Sequence, residues 1–214
     1  VESGDLMERV LEGLREVPAQ IVVSVGRERD PSAFGPQPAH VRIERFVPQA
    51  QFLPHCDAVV SHGGSGSVLG ALAHGLPLVL LPIGADQPLN AARCEAIGVG
   101  RVLDPLTLTP EHLRETVIRV LEDPVHRNAA RRVQSEIAAM PETATLTIPR
   151  TRPKTSSISV WVVIVKSSSP RWRSFSVRRI SRTTWSVRTW IENLTSISQS
   201  PSLLKSVCAC ETGI

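Results

Sequence analysis

The sequence predicts an α/β protein over residues 1–141, with a Rossmann-like parallel sheet and helices on both faces. Two observations support this prediction. Short apolar runs rich in Val, Ile and Leu alternate with amphipathic helical patterns in this part of the chain. A Gly-rich turn directly follows one of these runs, as ligand-binding turns follow the strands of parallel sheets. No apolar run reaches about 18 residues, so a membrane span is not indicated.

The first half of the chain alternates helical and extended patterns. Apolar residues at helical spacing predict a helix over residues 3–17, which Pro18 ends. The segments that follow are a buried strand over 20–25, a loop rich in Gly and Pro over 26–40, a strand over 41–45 and a helical turn over 50–55.

The second half continues the same alternation. A buried strand over 57–61 leads through the Gly-rich turn into a short helix over 68–74, which Gly75 stops. Thr109 followed by Pro110 is typical of the start of a helix. The complete set is a strand over 78–82, a helix over 86–97, a strand over 101–103, a helix from 110, and a last helix that follows Pro124 and ends before Pro141.

The Gly-rich turn is the strongest candidate for a binding site. Its residues are His62, Gly63, Gly64, Ser65, Gly66 and Ser67. The glycines allow a sharp turn and close approach of a ligand, and the N–H groups of the following helical turn favour an anion, above all phosphate. His62, Ser65 and Ser67 can add side-chain donors. A Gly-rich turn without a ligand is the alternative.

The formal net charge of +4 is unevenly distributed along the 214 residues. Residues 1–142 hold 13 Lys and Arg against 18 Asp and Glu, a net charge of −5. The other 72 residues hold 11 basic and 2 acidic side chains, a net charge of +9. The basic character therefore belongs to the C-terminal part, and it predicts no nucleic-acid surface on the α/β part.

Residues 142–214 form a basic tail rich in Ser, Arg and Trp, which we expect to be irregular or disordered. All four Trp lie between residues 161 and 190, without sustained periodicity, caps or turn residues. A strand domain that stacks its Trp on nucleic acid is one interpretation, and a disordered basic tail is another. We favour a third, in which the composition reflects translation in a shifted reading frame after the helix at 125–139.

The four cysteines show no metal-ligand spacing, so the sequence predicts no metal site. Cys56 and Cys94 stand alone, whereas Cys208 and Cys210 form a pair near the C-terminus. The N-terminus carries no secretory signal, and this pattern of cysteines is typical of a reduced protein. We therefore expect a cytoplasmic location.

Five short elements between about residues 41 and 104 carry a resemblance to a known family. They are FVPQ at 46–49, LPHCD at 53–57, SHGGSGS at 61–67, GLP at 75–77 and DQPLN at 86–90. In order and spacing they resemble the C-terminal, donor-binding domain of GT-B nucleotide-sugar glycosyltransferases. The resemblance is to the UDP-glycosyltransferase superfamily, in particular its bacterial macrolide and antibiotic-sugar members, and extends more weakly over residues 1–141.

The resemblance implies roles for three groups of residues. The turn from His62 to Ser67 would hold the donor diphosphate, and Asp86 with Gln87 would bind hydroxyls of the transferred sugar. Phe46, Val47 and Gln49 would face the base. The co-substrate would be a UDP- or dTDP-sugar, with no cofactor and no metal. From the residues alone, Asp86 could instead cap its helix, and Gln49 could be a plain loop residue.

Two positions differ from the plant and animal relatives, which commonly carry Trp at position 46 and Glu at position 70. Here these positions hold Phe46 and Gly70. The differences leave uridine and thymidine diphospho-sugars equally plausible as donors.

The resemblance also implies a second, N-terminal domain that carries the general base and the acceptor pocket. The chain would therefore be a fragment, also short of the first strand of its own domain, which would leave an unpaired sheet position. We expect the donor-binding half of an inverting glycosyltransferase that moves a hexose to a small natural-product or lipophilic acceptor, inactive alone. Alternatives are a non-catalytic nucleotide-sugar-binding or auxiliary protein, and another GT-B relative such as a UDP-sugar epimerase or a cell-wall lipid glycosyltransferase. The Asp86-Gln87 pair favours the first family.

Overall fold

The computed structural model describes residues 3–140 together with the backbone of residues 161–165. The helices are α1 (Ser3–Arg15), α2 (Gln49–Phe52), α3 (Ser65–Ala73), α4 (Gln87–Ala96), α5 (Pro110–Glu122) and α6 (Pro124–Ala138), with 3-10 helices at Pro31–Phe34 and Leu53–His55. The strands are β1 (Gln20–Ser24), β2 (Val41–Glu44), β3 (Ala58–Ser61), β4 (Leu78–Leu80), β5 (Gly100–Val102) and β6 (Trp161–Val165). Within these residues no helix is long and apolar enough to cross a membrane.

The predicted α/β architecture is confirmed, with small shifts at the ends of elements. The largest shift is at α3, which begins at Ser65, three residues before the predicted start. The glycine turn passes straight into this helix because the N–H groups of Ser67 and Val68 both donate to the carbonyl of Gly64. The predicted loop 26–40 also contains a 3-10 helix, capped by the Asp30 carboxylate.

The six strands form one sheet in the order β2-β1-β6-β3-β4-β5. β1 runs parallel to β2, and β3, β4 and β5 run parallel to one another. β6 lies between β1 and β3 and is antiparallel to both. The two parallel groups are therefore joined through a strand from the C-terminal part of the chain.

The position of β6 adds one exception to the expected irregular tail, since residues 161–165 form a regular strand. Because β6 lies between β1 and β3, both of these strands are paired on the edges that face it. Apart from this strand, residues 142–214 lie outside the described residues. The domain boundary near residue 142 and the three interpretations of the tail therefore stay predictions.

The sheet separates two hydrophobic cores, since alternate residues of a strand point to opposite faces. On one face α1 and α5 pack against strand residues such as Val23 and Val60. On the other face α3, α4 and α6 pack against residues such as Val22 and Val59. Both faces of the central strands are thus covered, which explains why their sequences are apolar without alternation.

Candidate functional site

The candidate site lies where β3 and β4 end, because the turns after these two parallel strands meet at one edge of the sheet. The glycine turn after β3 leads into α3, and the loop after β4 leads into α4. A hydrogen bond joins the two turns: the Ser65 hydroxyl donates to Asp86 Oδ2 at 2.7 Å. The structure therefore brings the predicted diphosphate-binding turn into contact with the predicted sugar-binding pair.

The glycine turn depends on two of its glycines for its shape. Gly63 adopts φ 86°, a left-handed conformation that favours glycine, and its N–H donates to the Ser61 hydroxyl at 3.2 Å. Gly64 lies under the His62 ring, since a Cβ on Gly64 would be 2.7 Å from His62 Nε2. The turn therefore places the His62 imidazole against the start of α3.

The start of α3 has the properties of an anion site. Gly64 is the N-cap residue and has no side chain with which to cap the helix. The N–H group of Ser67 donates to the carbonyl of Gly64, and that of Ser65 hydrogen-bonds the Asp86 carboxylate, so the helix dipole is the main feature that favours an anion here. Gly66 and the buried Ser67 belong to this first turn. The Ser67 side chain is thus buried beneath the turn.

Asp86 takes the N-cap position of α4, but its carboxylate makes no capping hydrogen bond. Oδ2 instead accepts from Ser65 and from Asn90. Burial opposes ionisation of this carboxyl, but the hydrogen bonds from Ser65 and Asn90 outweigh it and hold the pKa of Asp86 below its usual value. Asp86 is therefore an ionised acceptor at neutral pH, and the capping alternative is wrong.

The Gln87 side chain organises the loop between β4 and α4. Its Oε1 accepts from the N–H of Ile83 at 2.8 Å and from that of Gly84 at 3.1 Å. Both hydrogen bonds use the amide oxygen, which leaves the Nε2 group to donate to a ligand. Ala85 in this loop adopts φ 55°, an uncommon conformation for a residue with a side chain. The strained turn sets the direction in which Asp86 enters α4.

Asn90 is a part of the site that the sequence analysis missed. Its side chain, 4% exposed, lies on the second turn of α4. Nδ2 is 2.8 Å from Asp86 Oδ2, 3.2 Å from the Ser65 hydroxyl and 3.0 Å from the carbonyl oxygen of Gly63. One buried amide therefore connects the glycine turn, the start of α3 and the carboxylate.

The residues predicted to face the base come from the segment between β2 and β3. Phe46 is 53% exposed, and the Arg27 guanidinium lies 4.6 Å from the centre of its ring. Gln49 is partly exposed at the start of α2. Val47 is only 5% exposed and packs in the core beside α3. A contact between Val47 and a base would therefore involve its backbone.

The base-side group is not linked directly to the rest of the site. No hydrogen bond described within residues 3–140 joins Phe46 or Gln49 to Ser65 or Asp86. Arg27 belongs to this group as well, although its position in a charged loop gave no signal in the sequence. Its guanidinium covers one face of the Phe46 ring, as in cation–π pairs.

The described cysteines contribute packing. Cys56 and Cys94 are both free and buried in the core on the α3 side of the sheet. Burial raises the pKa of the Cys94 thiol to about 12, and burial together with the neighbouring Asp57 raises that of Cys56 still further. Within residues 3–140 no group of three or more His, Cys, Asp or Glu side chains is arranged to hold a metal ion.

Replacing Asn90 by Leu is expected to raise the pKa of Asp86. The change removes a hydrogen bond that stabilises the ionised carboxylate, while side-chain size is nearly conserved. A pH titration of Asp86 followed by carboxyl NMR measures the shift, which we expect to be upward. Gln134→Leu is the matched control, because the Gln134 amide donates to the carbonyl of Ala73, away from Asp86. An unchanged pKa in Asn90→Leu would contradict the role given to this amide.

Comparison with characterised proteins gives consistent matches over the described α/β part. The chain is 39% identical over 138 residues to 3-alpha-mycarosylerythronolide B desosaminyl transferase of Saccharopolyspora erythraea, covering 64% of this chain and 32% of that protein. It is 38% identical over 137 residues to 4'-demethylrebeccamycin synthase of Lentzea aerocolonigenes, covering 64% and 32% of the two chains. The chain thus spans about a third of the length of these relatives.

Solved structures of glycosyltransferases also match nearly two thirds of this chain. The calicheamicin glycosyltransferase CalG4 matches with a TM-score of 0.60 and 33% identity, over 63% of this chain and 35% of that one. The glycosyltransferase VinC, solved in complex with dTDP, matches with a TM-score of 0.59 and 30% identity, over 63% and 34% of the two chains.

A protein-family comparison matches residues 8–148, about two thirds of the chain, to the erythromycin biosynthesis protein CIII-like C-terminal domain. This match includes the glycine turn, Asp86, Gln87 and Asn90. The predicted resemblance to antibiotic-sugar glycosyltransferases with a GT-B fold is thereby confirmed. The chain belongs to the family of erythromycin biosynthesis protein CIII-like C-terminal domains.

Proposed function

We propose that this chain binds the nucleotide-sugar donor of a glycosyltransferase at the joined turns after β3 and β4. The observation that supports this proposal is the Ser65–Asp86 contact. In this contact the start of α3, where the helix dipole favours an anion, lies beside an ionised hydrogen-bond acceptor. A nucleotide sugar has these two features side by side, a diphosphate and a ring bearing hydroxyls. A simple phosphate would make no use of the carboxylate as a hydrogen-bond acceptor for hydroxyls.

The diphosphate would bind at the start of α3. The helix dipole favours its negative charge, and the His62 imidazole lies beside the helix start against Gly64. In sugar transfer the diphosphate is the leaving group, and its negative charge grows as the bond to the sugar breaks. Fixed donors at this position would therefore stabilise the transition state more than the ground state.

The sugar would bind between Asp86 and Gln87. Ionised Asp86 accepts a hydrogen bond from a sugar hydroxyl, and the Gln87 Nε2 group donates one to a sugar oxygen. Because the Asp86 carboxylate is held by Ser65 and Asn90, its direction is fixed before the sugar arrives. Such preorganisation reduces the conformational entropy that is lost on binding.

The base would lie near Phe46 and Gln49. Phe46 offers an exposed aromatic face suited to stacking, although Arg27 covers one side of this ring. The pairing leaves room for a pyrimidine on the other side, and we propose UDP- or dTDP-sugars as donors. The VinC structure, which was solved with dTDP, supports a thymidine nucleotide as one of the two.

The complete reaction would be inverting transfer of a hexose to a small natural-product or lipophilic acceptor. The names of relatives support this class, since they include transferases of desosamine and mycaminose to macrolide precursors. A general base and an acceptor pocket would come from a part of the enzyme that this chain does not contribute. We therefore propose that the chain binds the donor and does not transfer sugar alone, because proton transfer and proximity to the acceptor are both missing.

The test is calorimetric titration of the chain with dTDP, UDP and their glucose conjugates. We expect saturable binding, weakened about 10-fold or more by His62→Ala for all four ligands. Asp86→Ala is expected to weaken binding of the sugar conjugates but not of dTDP or UDP, since Asp86 is assigned to the sugar. Exposed residues of α5 supply matched controls, His112→Ala and Glu111→Ala, which should bind as the parent does.

This titration and a separate assay of sugar transfer together test the proposal. Binding that is lost equally in the α5 controls would contradict the assigned site. Donor binding without transfer to phenolic or macrolide acceptors would agree with a donor-binding half and with an auxiliary binding protein. Efficient transfer by the chain alone would contradict the proposed division of labour between this chain and an acceptor-binding part.

A further inference from the structure

Among the described residues, a strand from the C-terminal part of the chain fills the centre of the sheet. β1 and β3 do not pair with each other, because β6 lies between them. Neighbouring strands are about 4.8 Å apart, so β1 and β3 are separated by about 10 Å, too far for direct hydrogen bonds. Without an occupant, the facing edges of both strands would carry unpaired backbone groups in the interior.

The walls of this position are apolar on both faces of the sheet. On the α1 side they include Val23 of β1 and Val60 of β3. On the α3 side they include Val22 and Val59. All four residues are at most 3% exposed. A strand that fits here must therefore be apolar at successive positions, as fully buried strands are.

Residues 161–165 meet this requirement by sequence. The segment WVVIV is apolar and rich in β-branched residues at every position, so either face of the strand is suited to a hydrophobic core. It pairs along its whole length with β1, from Gln20 opposite Val165 to Ser24 opposite Trp161. Four of its residues also pair with β3, from Ala58 opposite Ile164 to Ser61 opposite Trp161.

The direction of β6 differs from that of its surroundings. The other described strands pair in parallel, as expected where helices cover both faces of a sheet. β6 is antiparallel on both sides, so it is not a further repeat of the strand–helix unit. A strand can form backbone hydrogen bonds with its neighbours and present apolar side chains whether it runs parallel or antiparallel to them. This explains how an antiparallel segment fits here.

We propose that the gap between β1 and β3 is a strand-binding site for an extended apolar segment, and that residues 161–165 are its occupant in this chain. The site requires a segment that can form backbone hydrogen bonds on both edges and that is apolar at successive positions. The C-terminal part of the chain thus has a structural task at the centre of the sheet. This inference is independent of the donor site at the ends of β3 and β4.

Paired cysteines test the position and direction of β6 in the full chain. With Cys208 and Cys210 replaced by Ser, Ser24→Cys with Trp161→Cys is expected to form a disulfide, since directly opposed antiparallel residues have Cα atoms about 4.5–5.5 Å apart. The matched control joins Ser24→Cys to Val165→Cys, which lies four residues away along β6, about 13 Å. Mass spectrometry of the linked peptides identifies the bond. Linkage of the control pair alone, or of neither pair, would overturn the proposal.

A proline substitution tests whether the site must be occupied. Val163→Pro removes a backbone N–H at the centre of β6, where the residue pairs with both Val22 and Val59. We expect the melting temperature to fall by about 10 °C or more, or the cooperative transition to be lost. Val187→Pro, a control beyond the described residues, should leave melting unchanged. Hydrogen exchange at residues 20–24 and 58–61 gives a second readout, and wild-type exchange and melting in Val163→Pro would refute the proposal.

Discussion

Replacing Gly100 by Ala is expected to destabilise the α/β domain strongly. Gly100 begins β5 opposite Leu78 of β4, and a Cβ there would overlap the carbonyl oxygen of Leu78. The same Cβ would lie 2.9 Å from the carbonyl carbon and the Cβ of Leu78. These atoms are backbone or close to it, so the clash requires separation of two paired strands. We expect the free energy of unfolding to fall by about 3 kcal/mol or more, as measured by urea denaturation.

Gly70→Ala is the matched control for this loss, and we expect the opposite sign. Gly70 lies within α3, and a Cβ there would meet only Leu53 Cδ1 at 3.5 Å, an ordinary contact. Because alanine favours the helix over glycine, the free energy of unfolding should rise by about 0.5–1 kcal/mol. A Gly100→Ala protein as stable as Gly70→Ala would mean that β5 does not pair with β4 in this register.

Gln87→Glu is expected to separate the two tasks of Gln87. The Glu side chain retains an oxygen that can accept from the N–H groups of Ile83 and Gly84, so the loop should keep its shape. It lacks the amide N–H group assigned to the sugar. We therefore expect the melting temperature to be nearly unchanged. The dissociation constant for dTDP-glucose should rise about 10-fold or more and by a larger factor than that for dTDP, which the added negative charge also raises.

Gln87→Met provides the comparison that makes the result specific. Methionine has a similar length but no strong acceptor, so both loop hydrogen bonds are lost with the donor. We expect lower stability and weaker binding of dTDP-glucose in this variant. If Gln87→Glu bound dTDP-glucose as the parent does, Gln87 would act on the loop alone and the sugar assignment would be wrong.

The local elements of the fold could be predicted because their signals lie within short stretches of sequence. The buried strands are short runs of Val, Leu and Ile. The start of α5 carries Thr109 and Pro110, and the Thr109 hydroxyl accepts the capping hydrogen bond from the N–H of His112. The roles of the glycine turn and of Asp86 with Gln87 came from the resemblance. Their contact through Ser65 agrees with a general property of parallel sheets, whose successive turns share one edge, but it was not predicted.

The parts that could not be predicted depend on contacts between distant segments. Asn90 belongs to the DQPLN element at 86–90 that carried the resemblance, but its contacts with the glycine turn depend on the packing of two distant segments. β6 carries no local sign of its partners, because Val163 pairs with Val22 and Val59, which lie more than 100 residues earlier. The resemblance located Val47 beside the base, but only the packing of the core showed that its side chain is buried.

The central position of β6 also constrains the order in which the sheet can form during synthesis. The strands of the glycine-turn side, β3, β4 and β5, and those of the other side, β1 and β2, are complete once residue 102 has been made. Their joining strand ends at residue 165, about 60 residues later. Each of these two groups of strands therefore has one unpaired apolar edge until β6 has been synthesised. At an elongation rate of about 5–20 residues per second, this takes several seconds. During that interval of several seconds the nascent chain is most exposed to aggregation and to capture by chaperones.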